Sequence, residues 1–171
     1  MERRTGYGRP LMNEKQLRIY LQDHLAGATA GLELARRARG ANEGTQYGPP
    51  LAKIADEIEA DRRHLQRIME DLGFGGDRLK NIAAWGLEKA GRLKLNGQLT
   101  GYSPLSRVIE LEGLLTGITG KKSMWTVLLE IADSEPRLDT ALLGRLSERA
   151  DAQRAAVEEL RQQAAREAFP A

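Results

Sequence analysis

Cysteine is absent from this chain of 171 residues, and histidine occurs only twice. Without cysteine there is no disulfide, thiolate zinc site, iron–sulfur cluster or cysteine nucleophile. No stretch approaches the roughly 18 apolar residues of a membrane span, and the N-terminal residues lack the apolar segment of a secretory signal. The sequence therefore favours a cytoplasmic protein in which any metal site relies on carboxylates.

Aromatic residues are also scarce, at 5% of the chain, and the net charge is only +2. Proteins that bind nucleic acid usually combine a concentrated basic face with stacking aromatics, so nucleic acid is not a favoured partner. Hydrophobic residues make up 41% and charged residues 29%, a balance that suits amphipathic helices with solvated outer faces. Arginine far outnumbers lysine, which favours a GC-rich bacterial source.

Helical periodicity runs through most of the chain, and no strand pattern is present. Residues 1–13 lack periodicity and are predicted to form a flexible N-terminal arm, followed by one domain over 14–171. Asn13 and Ser103 are suited to cap helices, and Pro50 and Pro104 to begin them. We predict helices over residues 14–39, 50–72, 77–94, 104–132 and 137–168.

The connections between these helices predict their arrangement. The first pair and the last pair are joined by short loops, which force antiparallel hairpins. The connector between the pairs is long enough to travel the length of a bundle, so the third long helix can run parallel to the second. We expect the basic helix at 77–94, with Trp85, to dock on this bundle, whereas binding to an anionic membrane surface is the less favoured alternative.

Several polar residues fall on apolar helix faces when each helix is drawn at about 100° per residue. Buried charges are costly unless they are paired, so those on different helices should meet one another or a bound group. The expected interpretation is a structural polar network, and the alternative is a metal or ligand site. The residues concerned are His24, Asp61 and Glu112 within the apolar arcs, Glu57 and His64 beside Asp61, Arg145 and Arg149 on the inner face of the last helix, and Glu148 and Asp151 at its edge.

The layout of two hairpins and a long crossover resembles the ferritin-like superfamily of four-helix bundles. In members with a di-iron site, a carboxylate and a Glu-x-x-His element occur in each hairpin. Here Asp61-Arg62-Arg63-His64 is similar to the second-helix element and Glu112 to the third-helix carboxylate, whereas His24 and Asp151 depart in type. The resemblance implies an all-α, ferritin-like four-helix bundle with a short helix in its crossover. Its candidate metal ligands are His24, Asp61, His64, Glu112, Glu148 and Asp151.

Two functions follow from these residues. Because Arg145 and Arg149 could neutralise the inward carboxylates in place of a metal, we expect a non-catalytic structural, partner-binding or ligand-binding protein with a buried polar network that also includes Glu57. The alternative is a metal-dependent oxidase or an iron-handling protein that uses iron or manganese. Whether the protein is an enzyme stays open, and a homodimer or another protein partner is compatible with either function.

Small residues recur on the first and third long helices. Gly113, Gly117 and Gly120 lie on one strip of the third helix, and residues 26–31 of the first are all alanine, glycine or threonine. Close helix packing is the expected reason, and a ligand cavity over the strip is the alternative. The segment Gly120-Lys121-Lys122-Ser123 resembles a phosphate-binding loop only superficially, since no strand precedes it and Leu115 stands where its first glycine would be.

Overall fold

The computed structural model describes residues 13–75 and 102–170, which form four helices. These are α1 (Glu14–Ala41), α2 (Gly48–Asp71), α3 (Pro104–Ala132) and α4 (Thr140–Ala168). No strand occurs in these two ranges, so the prediction of an all-α fold is confirmed there. The helix predicted over 77–94 lies outside the described residues, as does the predicted N-terminal arm except for Asn13.

The helix starts are set by local capping groups. Asn13 Oδ1 accepts a hydrogen bond from the backbone N–H of Gln16 (3.1 Å), and Ser103 Oγ accepts one from Ser106 (3.1 Å). Helix α2 has no such side-chain cap, but prolines stand in its first turn, where a missing N–H costs nothing. These features explain why the predicted starts at 14, 50 and 104 lie within two residues of those observed.

The start of α4 differs from the prediction. It begins at Thr140 and not at residue 137, after a connection that runs from Asp133 to Asp139. The buried carboxylate of Glu135 accepts hydrogen bonds from the backbone and side chain of Arg137, which holds this segment out of helical geometry. Asp139 then caps the helix by accepting from the Leu142 N–H (2.9 Å).

Contacts at the two ends of the bundle define the helix directions. Near the start of α3, Tyr102 accepts a hydrogen bond from Asn42 at the end of α1, and Arg107 pairs with Glu167 at the end of α4. At the opposite end, Arg137 donates to the Leu72 carbonyl (3.2 Å), just after α2. Helix α2 therefore ends and α3 begins at opposite ends of the bundle, so the two helices run parallel to each other and antiparallel to α1 and α4.

The core lies between helices that are neighbours around the bundle. Helix α1 packs against α2 and α3, and α3 packs against α4, whereas α2 and α4 share few contacts. Leucine dominates the fully buried positions, and each large apolar side chain removed from water contributes about 1.5–3 kcal/mol. Polar side chains bridge α2 and α4, where the apolar contact is thin, and these side chains form part of the candidate site.

Candidate ligand-binding cavity

A cavity of about 290 Å³ lies between α1, α2 and α3. Ligand sites in proteins are mostly apolar concavities with a few convergent polar groups, and this cavity has that composition. Its larger apolar lining residues are Ile58, Leu65, Leu114, Ile118, Met124 and Trp125. Its polar lining residues are Asp23, His24, Asp61, Arg62 and Lys121.

Glycines from two helices form much of the cavity wall. A Cβ atom added at Gly27, Gly31, Gly117 or Gly120 would meet nothing within 4 Å, although all four residues line the cavity. Among the glycines that line the cavity, only Gly113 is closely packed, since an added Cβ would approach Leu34 Cδ2 at 2.9 Å. The expectation that the glycine strip serves close helix packing is therefore wrong at the other four positions, where the glycines leave space open.

This open space has a cost in stability. Glycine in a helix interior is about 0.8–1 kcal/mol less favourable than alanine. The four glycines that face the cavity are not required by packing, so alanine would fit at each of them and would favour the helix. Glycine at these positions leaves open space where alanine would place a methyl group, at the expense of helix stability.

Asp61 is the central charge of the site. Its side chain is 1% exposed, as the helical pattern predicted, and it accepts hydrogen bonds from three groups. Oδ1 accepts from Arg149, whereas Oδ2 accepts from Lys121 and from Gln153 Nε2 (3.2 Å). Two cations from different helices thus neutralise one carboxylate, and the Asp61–Arg149 pairing expected for a structural network is present.

Gln153 of α4 links Asp61 to Glu57, which lies one turn earlier on α2. The Gln153 amide is buried and donates to Glu57 Oε2 (3.1 Å), and its Oε1 accepts from Lys121. Burial lowers the pKa of Lys121, although the adjacent Asp61 carboxylate raises it in part. Glu57 therefore belongs to the buried polar network, as predicted from its position one turn before Asp61.

The two histidines occupy different surroundings. His24 is half-buried, lines the cavity and packs edge-on against Tyr20, with ring centroids 4.5 Å apart. Burial lowers its pKa, and the neighbouring Asp23 carboxylate opposes that shift. Burial also lowers the pKa of His64, and Arg67 and Arg149 act in the same direction. Both imidazoles are thus disposed to remain neutral.

Four other predicted site residues lie at the surface of the bundle and not at the cavity. Glu112 was expected on an inward face, but its side chain is 55% exposed and lies 3.8 Å from Arg161. Arg145 and Glu148 are exposed, and Asp151 pairs with Lys122 at the surface. The inward placement of Glu112 and Arg145 is therefore wrong. Helix α3 carries apolar residues nearly all round, and the structure exposes Leu105 and Ile109, which share the helix face of Glu112 at i, i+4 and i+7.

These positions bear directly on the di-iron ligand set that the ferritin-like resemblance implies. Within residues 13–75 and 102–170, no group of three or more histidine, aspartate or glutamate side chains is placed to hold a metal ion. The oxygens of Asp61 already accept from two cations, and Glu112 faces solvent. The six candidate ligands do not fit a two-metal centre in this arrangement.

Sequence reasoning missed two members of the network, Lys121 and Gln153. Lys121 continues the buried row of Leu114 and Ile118 at helical spacing, and Gln153 continues that of Leu146 and Ala150. A search for every polar residue in register with a buried row would have found both. In the sequence, Lys121 stands out only within the segment 120–123 that superficially resembles a phosphate-binding loop.

No family model, curated protein or solved structure matches the chain. Among the four described helices, none combines the length and apolar character needed to cross a membrane.

Proposed function

We propose that this protein is a non-catalytic bundle that binds a small molecule in the cavity between α1, α2 and α3. The observation that carries the proposal is that Gly27, Gly31, Gly117 and Gly120 all face open space. Helices that pack for stability alone would gain from alanine at these positions. Retaining four such glycines around one volume favours a cavity that is kept open for a ligand.

The size of the cavity limits the ligand. A dry cavity of about 150 Å³ accommodates benzene, so a cavity of about 290 Å³ suits a molecule of about 12 non-hydrogen atoms. The apolar lining would contact one side of such a molecule and the polar residues at the wall would orient it, while the exposed residues Asp23, Gly27 and Gly117 leave the volume open to solvent. The ligand class is thus a compact and mainly apolar metabolite.

The hydrogen bonds among the polar groups at the cavity favour a binding role over a catalytic one. The Asp61 carboxylate, the most deeply buried acid at the cavity, accepts from Lys121, Arg149 and Gln153. A general base needs a free lone pair that points at the proton it removes. Since two cations hold Asp61 as an anion and hydrogen bonds from within the protein occupy three of its about four lone-pair sites, we assign Asp61 a structural role in shaping the cavity wall.

We further propose that the bundle is a ferritin-like protein that works in the cytoplasm without a di-iron centre. The parallel course of α2 and α3 supports a ferritin-like topology, and the absence of cysteine supports a reducing compartment. The engaged state of Asp61 and the exposure of Glu112 favour this proposal over the iron or manganese oxidase.

The binding proposal is tested with two probes, 3-phenylpropan-1-ol and 3-phenylpropanoate, by isothermal titration calorimetry. We expect at least one of them to bind the wild-type protein with one equivalent per chain. Gly117→Leu places an isobutyl group in the open space and should weaken that binding at least about tenfold.

The matched control is Gly144→Leu, at a helical glycine of α4 that also has open space at its Cβ position but does not line the cavity. This variant should bind the probe as the wild-type protein does. Failure of both probes to bind the wild-type protein, or equal loss in the two variants, would overturn the proposal.

A further inference from the structure

His24 is a polar side chain at the cavity wall that a ligand can reach. Its imidazole is half-buried, packs edge-on against Tyr20 and makes no hydrogen bond with any residue in 13–75 or 102–170. Neither ring nitrogen is among the buried side-chain nitrogens that lack a partner, so both keep accessible surface. By contrast, Lys121 donates to Asp61, and Trp125 Nε1 is sealed from solvent. His24 therefore has hydrogen-bonding capacity at the cavity that the described part of the protein leaves unused.

The charges at the cavity wall balance one another. The negative charges of Asp23 and Asp61 are matched by the positive charges of Arg62 and Lys121, and all four residues line the cavity. A charged ligand would lose part of its hydration against the apolar lining and would meet no excess of opposite charge in return. The wall therefore favours a ligand without net charge.

The neutral imidazole determines which polar group of such a ligand fits. Burial lowers the pKa of His24, so at about pH 8 the ring carries one N–H and one bare nitrogen. Arg62 and Lys121 only donate hydrogen bonds, whereas the bare nitrogen of His24 accepts one. A hydroxyl group donates and accepts through one oxygen and carries no charge, so it complements both kinds of group at this wall.

We infer that the ligand is an uncharged molecule with a hydroxyl group, which donates a hydrogen bond to the imidazole of His24, and a compact apolar body that lies along the glycine-lined wall. This inference rests on the proposed function and names the chemical class of its ligand. An ether of the same size would cover the bare nitrogen without pairing it, and an unpaired polar atom is costly. His24 is thus the residue that selects the hydroxyl group.

The test compares 3-phenylpropan-1-ol with its isomer benzyl ethyl ether, which has no hydroxyl donor, by titration calorimetry at about pH 8. We expect the alcohol to bind the wild-type protein at least about threefold more tightly than the ether, which is the margin of a single hydrogen bond. The charged analogues 3-phenylpropanoate and 3-phenylpropylamine should both bind more weakly than the alcohol. His24→Phe should remove the preference for the alcohol and leave the affinity for the ether within about twofold.

Two further variants separate hydrogen bonding by His24 from its shape. His24→Gln supplies an amide that donates and accepts, so it should retain part of the preference for the alcohol. His64→Phe is the matched control, because His64 is also partly exposed but does not line the cavity, and it should leave both affinities unchanged. Circular dichroism and urea unfolding establish that each variant is folded before its affinity is interpreted.

The outcomes distinguish this inference from the proposal on which it rests. Equal affinity for alcohol and ether, with both lost in Gly117→Leu, would overturn the inference and leave the cavity as a binding site. Tighter binding of the acid or the amine than of the alcohol would also overturn the inference alone. The same holds for an unchanged preference in His24→Phe, or for equal loss of both probes in that variant. If no probe binds the wild-type protein, the proposed function itself fails.

Discussion

At the scale of single residues, Asp61 shows how one buried charge organises its surroundings. It lies on α2, and its partners come from α3 and α4, more than fifty residues away along the chain. Removing water from a carboxylate is costly, so the burial of Asp61 depends on Lys121 and Arg149. The same argument applies in reverse, because Lys121 is nearly buried and depends on Asp61.

Asp61→Asn should therefore destabilise the protein by about 3 kcal/mol, because it leaves two cations near the core without their counter-charge. Equilibrium unfolding in urea measures this difference. Asp151→Asn is the control, since Asp151 also pairs with a lysine but is 43% exposed, and its loss should cost less than about 1 kcal/mol. A similar loss in both variants would show that Asp61 does not carry the network.

At the scale of elements, α1 and α3 are less stable than the same helices would be with alanine in place of their interior glycines. Each carries glycines at interior positions where the backbone is helical and a Cβ atom would fit. These glycines lower the stability of the two helices and leave open space between them. Such an exchange of stability for an open site is common where a protein binds a ligand.

Gly120→Ala should raise the free energy of unfolding by about 0.5–1 kcal/mol, because alanine favours the helix and its methyl group meets no atom within 4 Å. Gly144→Ala should give a similar gain from α4. Gly44→Ala should have the opposite sign, since Gly44 has a φ of +77°, which disfavours residues with a Cβ atom. Thermal and urea unfolding of the three variants check the signs, and a loss of stability in Gly120→Ala would contradict this account of the cavity wall.

At the scale of the whole molecule, a polar cluster joins all four helices at one end of the bundle. Arg107 of α3 donates to Asn42 Oδ1 after α1 (2.7 Å) and to Glu167 of α4 (2.8 Å). Its guanidinium also lies over the ring of Tyr47, directly before α2, at 4.2 Å from the ring centroid. Arg107 therefore adds polar links between the two hairpins at this end, in addition to the packing of α1 against α3.

Arg107→Met should cost about 2 kcal/mol, because the methionine keeps the apolar stem but loses the charged hydrogen bonds and the ring contact. Urea unfolding measures the loss, and amide hydrogen exchange should show faster opening at this end of the bundle. Arg36→Met, at a side chain that is 50% exposed, should change stability by less than about 0.5 kcal/mol. Equal effects of the two substitutions would contradict the role given to Arg107.

The sequence predicted the helices well because their signals are local. The side chains of Asn13 and Ser103 cap the backbone three residues ahead, and apolar periodicity depends only on the helix that carries it. The same periodicity placed Asp61 inside. It failed for Glu112, because α3 is apolar on nearly every side and its own pattern does not show which side faces the core.

The sequence by itself determined the all-α fold in the described ranges and the inward position of Asp61, because both follow from residues within one helix. Only the tertiary structure decided that Lys121 and Gln153 complete the network and that the glycines face open space. Those outcomes depend on the distance and rotation between helices, which are set by packing among residues far apart in the chain. A strip of glycine permits either close contact or a cavity, and the surrounding side chains determine which of the two forms.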